Sequence, residues 1–385
     1  MKINYLKYKN NISKWELKKI NFHILSLIVG KSGVGKSKVL NCIMQLVNII
    51  NGGLGLSGDE WELGFEISGT KYIWCGRIDI ATGISLDRVP SPLFLASNIS
   101  LDTRSTITQA PVFLSESLKK NNEVILERKN DEIIYGGQHY PRLDPSKSIL
   151  NLIKDNNMME ILKNFNKIFN ISDKEEKHIL VNYNEKTEQT FFPIEIIKGL
   201  NQPIVSKMYL TYKHNPEYFH KIEKSFQNVF PNVESISFRE IIDISQNNSI
   251  PIPMGQVIPL QLKEYKSQWI TQDNISLGMF KILIFIATFY LVPDNSIIII
   301  DEFENSLGVN CIDFLKEFVN EVYNRNIQIL LTSHHPYIIN SIDTNNWIIL
   351  HRNKNIVRGY TAKKAGIYES SHENFTLLMN SDKFI

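Results

Sequence analysis

Cysteine is scarce in this chain: three residues in 385, at Cys42, Cys75 and Cys311, with no C-x-x-C pair. That scatter argues against a disulfide framework and a thiolate zinc site, and it suits a reducing, cytoplasmic setting. Long apolar runs are missing too. The longest, Ile282 to Val292, is interrupted by Thr288 and stopped by Pro293, well short of the ~20 residues a bilayer-spanning helix needs. No membrane association is expected. The start, Met1-Lys2-Ile3-Asn4-Tyr5, leads into no apolar stretch with a small-residue cleavage site, so it does not read as a signal peptide. No internal repeat, low-complexity tract or heptad run long enough for a coiled coil is present. Neither sign of charge is in excess: 42 Lys and Arg face 40 Asp and Glu, a net charge of +2. That balance neither requires nor excludes nucleic acid, because a binder needs only one basic face. The composition, 43% hydrophobic and 21% charged, is ordinarily globular, and the length allows a large core or two lobes.

What is present is the run Gly30-Lys31-Ser32-Gly33-Val34-Gly35-Lys36-Ser37. It fits G-x-x-x-x-G-K-[ST] at every fixed position. An apolar stretch, Ile24 to Val29, precedes it and reads as a buried strand. After it, Val39, Ile43, Leu46, Val47 and Ile50 recur at helical spacing. Strand, glycine loop, helix is the context in which this motif cradles phosphate. The three glycines let the backbone N–H groups curl toward an anion, and the helix N-terminus adds a favourable field. Lys36 is expected to reach the β- and γ-phosphates, and the Ser37 hydroxyl to ligate Mg²⁺.

Downstream, hairpins are predicted at 61–80, closed by Ser68-Gly69, and at 124–135. Apolar spacing from Ser146 to Phe169 predicts a helix, and another is predicted over Pro216–Val229. Leu260 to Glu264 reads as a strand, Asn274 to Leu291 as an apolar helix, Ser296 to Ile300 as a buried strand, and Cys311 to Arg325 as a helix. Ile327 to Leu331 reads as a further strand, and 347–360 as a closing hairpin. The expected fold is α/β: a mixed, mainly parallel sheet with flanking antiparallel hairpins and an inserted helical lobe. Residues 1–145 and 251–385 would form the two parts of the head, and 146–250 the lobe.

Ile297 to Ile300 followed by Asp301 and Glu302 is a buried strand ending in two acids. Active groups of parallel sheets gather at the carboxyl ends of strands. Asp301 is placed to hold Mg²⁺, and Glu302 to polarise a water attacking the γ-phosphate. Thr332-Ser333-His334-His335-Pro336 closes the next strand, and His334 is preferred over His335 as a γ-phosphate contact. Ser276 and Gly278 open the apolar helix, where Ser276 reads equally as an N-cap and as part of an anion site.

These pieces, in this order, resemble the ATP-binding-cassette ATPases of the SMC/RecF/OLD-like branch. Gly30–Ser37 resembles its Walker A loop. Ser276-Leu277-Gly278 with Lys281 resembles its S-x-G-x-x-[RK] signature, and Ile297–Glu302 its Walker B strand with the catalytic glutamate. Glu304-Asn305-Ser306-Leu307 resembles its D-loop, and Ser333–Pro336 its switch-histidine motif. Phe303 stands where the family has Pro, Gly308-Val309 where it commonly has His-Pro, and His335 where it has Ser. Gln109 and Gln138 are the candidates for its Q-loop glutamine. The resemblance implies ATP hydrolysis and a head-to-tail homodimer or higher oligomer. In that arrangement Ser276 and Gly278 of one copy close on the nucleotide held by Gly30, Lys31, Ser32, Gly33, Val34, Gly35, Lys36 and Ser37 of the other.

OLD-type nucleases carry a further domain after the switch histidine, for which the ~50 residues beyond Pro336 are too few, and SMC proteins carry long coiled coils. The remaining shape is similar to stand-alone ATPases of bacterial anti-phage systems such as Septu. It implies a defence ATPase acting with a separate nuclease or toxin. The alternative is a RecF-like repair ATPase that binds DNA directly through a basic stripe using Lys207, Lys213, Lys221 and Lys224.

Overall fold

A computed structural model of the chain describes residues 1–80, 110–171, 180–181, 191–200, 202–238, 256–257, 260–264, 268–304 and 324–367. The first nine strands are β1 (Lys2–Asn10), β2 (Trp15–Asn21), β3 (Leu25–Val29), β4 (Asp59–Ile67), β5 (Thr70–Ile78), β6 (Phe113–Lys120), β7 (Glu123–Lys129), β8 (Glu132–Tyr135) and β9 (Gln138–Tyr140). The middle of the chain gives β10 (Ile168–Ile171), β11 (Leu180–Val181), β12 (Val233–Phe238), β13 (Gln256–Val257), β14 (Leu260–Glu264) and β15 (Trp269–Thr271). The last four are β16 (Ile297–Ile300), β17 (Gln328–Thr332), β18 (Trp347–Asn353) and β19 (Ile356–Tyr360).

One 14-stranded sheet runs β10-β16-β17-β3-β18-β19-β2-β1-β4-β5-β6-β7-β8-β9. From β10 to β18 the neighbours are parallel. From β2 outward through β1 and β4 to β9 they are antiparallel. The parallel part reads as near-continuous aliphatic sequence because both its faces are covered. Ile297 and Ile299 pack into one core with the helix Lys36–Ile50, while Ile298 and Ile300 enter a second core with Phe285 and Phe289 of the helix Leu277–Leu291. That is the period-two alternation of a strand. The antiparallel part has one buried face, carrying Leu63, Phe65, Trp74, Leu118 and Leu126. A third core joins the helices Ile204–His214 and Pro216–Val229 to β12, β14 and the far face of the helix Leu277–Leu291.

Both predicted hairpins form, as β4–β5 and β7–β8. Ser68 at φ 48° and Gly69 at φ 82° make the first turn, the left-handed pair that matches strand twist. The predicted helix 146–169 is a correction. It is two short helices, Ile149–Leu152 and Asn156–Phe165, followed by strand β10. Asp155 breaks it by accepting from Met158 N and starting a new helix, while Ile168 to Ile171 pair with β16. These helices pack in the first core, Phe169 and Ile171 of β10 against the second, and the pair Ile204–His214 and Pro216–Val229 in the third, so residues 146–250 contribute to all three cores. The predicted helix 311–325 and the D-loop residues from Asn305 on lie outside the described residues apart from the last turn.

Candidate active site

β3 ends level with the end of its parallel neighbour β17, while β18 runs on past it to Asn353, and the glycine loop begins there. Gly30, Gly33 and Gly35 all have positive φ, at 154°, 77° and 110°. Gly30 has a further reason to be glycine: a Cβ there would meet the Leu350 carbonyl oxygen at 2.9 Å. Gly35 precedes the helix Lys36–Ile50 without a side-chain cap, and no acid sits in the first turn. The first N–H groups of that helix are therefore free to meet an anion. Lys36 is buried, and its Nζ donates to the carbonyls of Gly30 at 2.8 Å and Lys31 at 3.1 Å. Burial pushes its pKa down, against the pull of Glu304, Glu302 and Asp301. Lys31 and Ser32 are exposed, while Val34 tucks into the first core.

Two strands away, β16 delivers Asp301 and Glu302. The Ser37 hydroxyl donates to Asp301 Oδ1 at 3.1 Å, bringing the two residues expected at the metal together over 264 positions. The Thr332 hydroxyl, at the end of β17, donates to the same oxygen at 2.6 Å and accepts from Glu302 N at 2.7 Å. Glu302 sits at φ 49°. A glutamate held in the left-handed region costs on the order of 1–3 kcal/mol and persists only where surroundings over-determine it. Its carboxylate lies 3.5 Å from His334 Nε2, with both side chains 43% exposed. Glu304 accepts from His334 N at 2.6 Å. His335 is occupied differently: its Nδ1 accepts from Tyr337 N and caps the helix Pro336–Ser341.

Ser276 and Gly278 are not part of this cluster. Ser276 Oγ accepts from Met279 N at 3.2 Å, capping the helix Leu277–Leu291. The corner is open, with Leu277 49% exposed. Gln138 is corrected by position: it starts β9, at the opposite edge of the sheet from β10 and β16, so it cannot serve as a Q-loop residue in this copy. Gln109 lies outside the described residues. Lys207 is also corrected. It is fully buried and donates to the Lys198 carbonyl at 2.7 Å, so it belongs to no surface stripe, whereas Lys221 and Lys224 are exposed.

Two neighbours of the site receive no role from sequence. One is Thr332. The other is Arg352 on β18, whose Nη1 donates to the Gly33 carbonyl at 3.2 Å. The strand-end position of Thr332, one residue before Ser333-His334, was the available signal; Arg352 offered none.

The donors suit Mg²⁺ and a nucleotide triphosphate. One hydroxyl and one carboxylate converge beside uncapped helix N–H groups, and Mg²⁺ is usually held by one or two such oxygens, substrate phosphates and waters. No group of three His, Cys, Asp or Glu side chains arranged to hold a metal ion by themselves occurs among the described residues. No helix among the described residues is long and apolar enough to cross a membrane.

A glycine loop on one parallel strand, an acid pair on another and a histidine at the end of the strand between them define an ATPase head of the P-loop class. A family model described as "AAA domain, putative AbiEii toxin, Type IV TA system" matches residues 148–340, half of the chain, and the chain belongs to that family. Among solved structures the chain is similar to an Smc head bound to the C-winged helix domain of ScpA, with TM-score 0.50, 13% identity, and 95% of this chain and 99% of that one covered. It is also similar to an Smc head with an extended coiled coil from Pyrococcus furiosus, at TM-score 0.49 and 12% identity over 94% and 97% of the two chains. A third is the SMC head domain from Thermotoga maritima, at 0.41 and 10% over 94% and 99%. The likeness to the ScpA-bound Smc head gives the fold as that of an ABC-type ATPase head. Comparison with curated proteins finds no match.

Proposed function

We propose that the chain is an ATP-hydrolysing switch. Two copies close head to tail around Mg²⁺ and ATP, and that closure governs a separate nuclease or toxin in anti-phage defence. The observation that carries the reading is the hydrogen-bonded run Ser37–Asp301–Thr332–Glu302, with His334 beside it, at the carboxyl ends of adjacent strands. In this reading Gly30 to Ser37 hold the phosphates through backbone N–H groups, and Lys36 leaves the loop carbonyls for the β- and γ-oxygens. Ser37 and Asp301 would hold Mg²⁺, which supplies charge neutralisation to the leaving phosphates. Glu302 accepts the proton of the attacking water, and His334 contacts the γ-phosphate.

Ser276 and Gly278, outside the cluster of their own copy, complete the site of the second. We keep the division into a head, 1–145 with 251–385, and an inserted lobe, 146–250, as part of this proposal. The toxin–antitoxin description of the family and the ScpA-bound Smc head support an output through a second protein. Burial of Lys207 removes one residue from the basic stripe that direct DNA binding would use.

The test is nucleotide affinity and native mass. Lys36→Ala should weaken ATP binding by ~100-fold or more, and Glu302→Gln should hold ATP and shift the mass from one copy to two. Unchanged affinity in the first variant, or a single copy under every nucleotide condition in the second, rejects the proposal.

A further inference from the structure

Thr332 is the last residue of β17 and is fully buried. Two other buried threonines satisfy their hydroxyls locally: Thr211 donates to the Lys207 carbonyl and Thr288 to the Ile284 carbonyl, each four residues back in its own helix. Thr332 does not. Its hydroxyl donates to Asp301 Oδ1 at 2.6 Å and accepts from Glu302 N at 2.7 Å, and its carbonyl accepts from Phe303 N at 3.0 Å. One residue thus bonds to three consecutive residues of a segment 30 positions away. A hydroxyl has one proton, here committed to Asp301, and two lone pairs, one of them taken by Glu302 N. The two bonds therefore fix each other's direction. Asp301 Oδ1 is aimed at Ser37 as well, and Glu302, at φ 49°, has its backbone N–H held in the left-handed turn that brings its carboxylate to His334.

We propose that Thr332 is a positioning residue of the hydrolysis site, fixing the Asp301 carboxylate toward Ser37 and holding the Glu302 turn. The proposal rests on the ATPase reading for its consequence but not for its geometry. Thr332→Val keeps the shape and removes the hydroxyl. Thr332→Ser keeps the hydroxyl and removes a methyl.

Hydrogen exchange of the nucleotide-free chain is the first readout. In Thr332→Val the amide of Glu302, followed in a peptide spanning 297–303, should exchange at least 10-fold faster, and Thr332→Ser should exchange as the wild type does. The second readout is the Mg²⁺ concentration needed for tight binding of a fluorescent ATP analogue. It should rise several-fold in Thr332→Val, with affinity in EDTA unchanged, while maximal turnover falls ~10- to 100-fold. Thr332→Ser should restore both. Should Thr332→Val not fold, Thr332→Ala carries the same comparison. Wild-type exchange and Mg²⁺ dependence in Thr332→Val, or equal damage in Thr332→Ser, overturns the proposal, because the first shows the hydroxyl idle and the second shows only volume at work. A wild type that hydrolyses nothing would reject the ATPase reading, and the exchange result would still decide this one.

Discussion

The corner after β16 and the corner before the helix Leu277–Leu291 both present small polar groups at the end of an apolar element, yet they are built in opposite ways. At the first, Asp301, Glu302 and Glu304 are tied to Ser37, Thr332 and His334 by hydrogen bonds that span the glycine loop and two strands. At the second, Ser276 caps its own helix, and Leu277 beside it is open to solvent. The first corner is pre-organised within one copy, which is the condition for electrostatic work on a phosphate. The second corner would be a half-site only under the head-to-tail reading proposed above.

Arg325, just before β17, donates to the Phe289 and Val292 carbonyls at the far end of that helix, so hydrogen bonds tie the end of the helix to the start of the strand that carries Thr332.

The largest effect tests the division itself. Gly278→Asp puts a side chain and a negative charge into the open corner, and turnover should fall ~100-fold or more while a single copy binds ATP as before. Mixing this variant with Lys36→Ala should recover a fraction of the activity, because a mixed pair holds one site with both Lys36 and Gly278 intact. Activity that stays at background in the mixture, with mixed pairs present by native mass, would mean that the open corner serves its own copy or none.

A middling effect sharpens the closed side. Arg352 holds the Gly33 carbonyl from β18, an exposed charge-assisted bond worth about 1 kcal/mol or less. Arg352→Ala should weaken ATP binding only ~3- to 10-fold and leave saturated turnover within twofold, measured by titration and steady-state rates. A turnover loss with intact affinity would place Arg352 in the chemistry rather than in the loop.

How far each corner could be read beforehand follows from where its information sits. The glycine loop is written locally: each of its glycines has positive φ, a requirement one residue type meets cheaply. The four isoleucines of β16 announce a strand covered on both faces. His334 and His335 could be ranked in sequence only by position; the structure separates them because Pro336 starts a helix that takes the ring of His335 as its cap. Thr332 and Arg352 were hidden because their partners lie 30 and 319 residues away, and a threonine at a strand end is ordinary. The stretch 149–171 misled because apolar spacing fits a helix and a short strand alike, and the arbiter, pairing of β10 with β16, is non-local.

The smallest effect lies on the seam between the two regions. Lys207, on the helix Ile204–His214, reaches the Lys198 carbonyl and lies 5.2 Å from the ring of Phe169 on β10, beside β16. Desolvation alone pushes its pKa down from 10.5 to about 8. Between those values the unfolded chain binds more protons than the folded one, so stability should rise as pH goes from 8 toward 10.5 and be flat below 8, where both states are protonated. At pH 7 the buried charge therefore costs stability. Lys207→Met fills the same space without that cost, at the loss of about 1 kcal/mol for the Lys198 carbonyl left without a donor. Its melting temperature should rise by a few degrees at pH 7, and its stability should lose the climb above pH 8. A variant that melts lower at pH 7 would show that the ammonium beside Phe169 stabilises the fold by more than its desolvation costs.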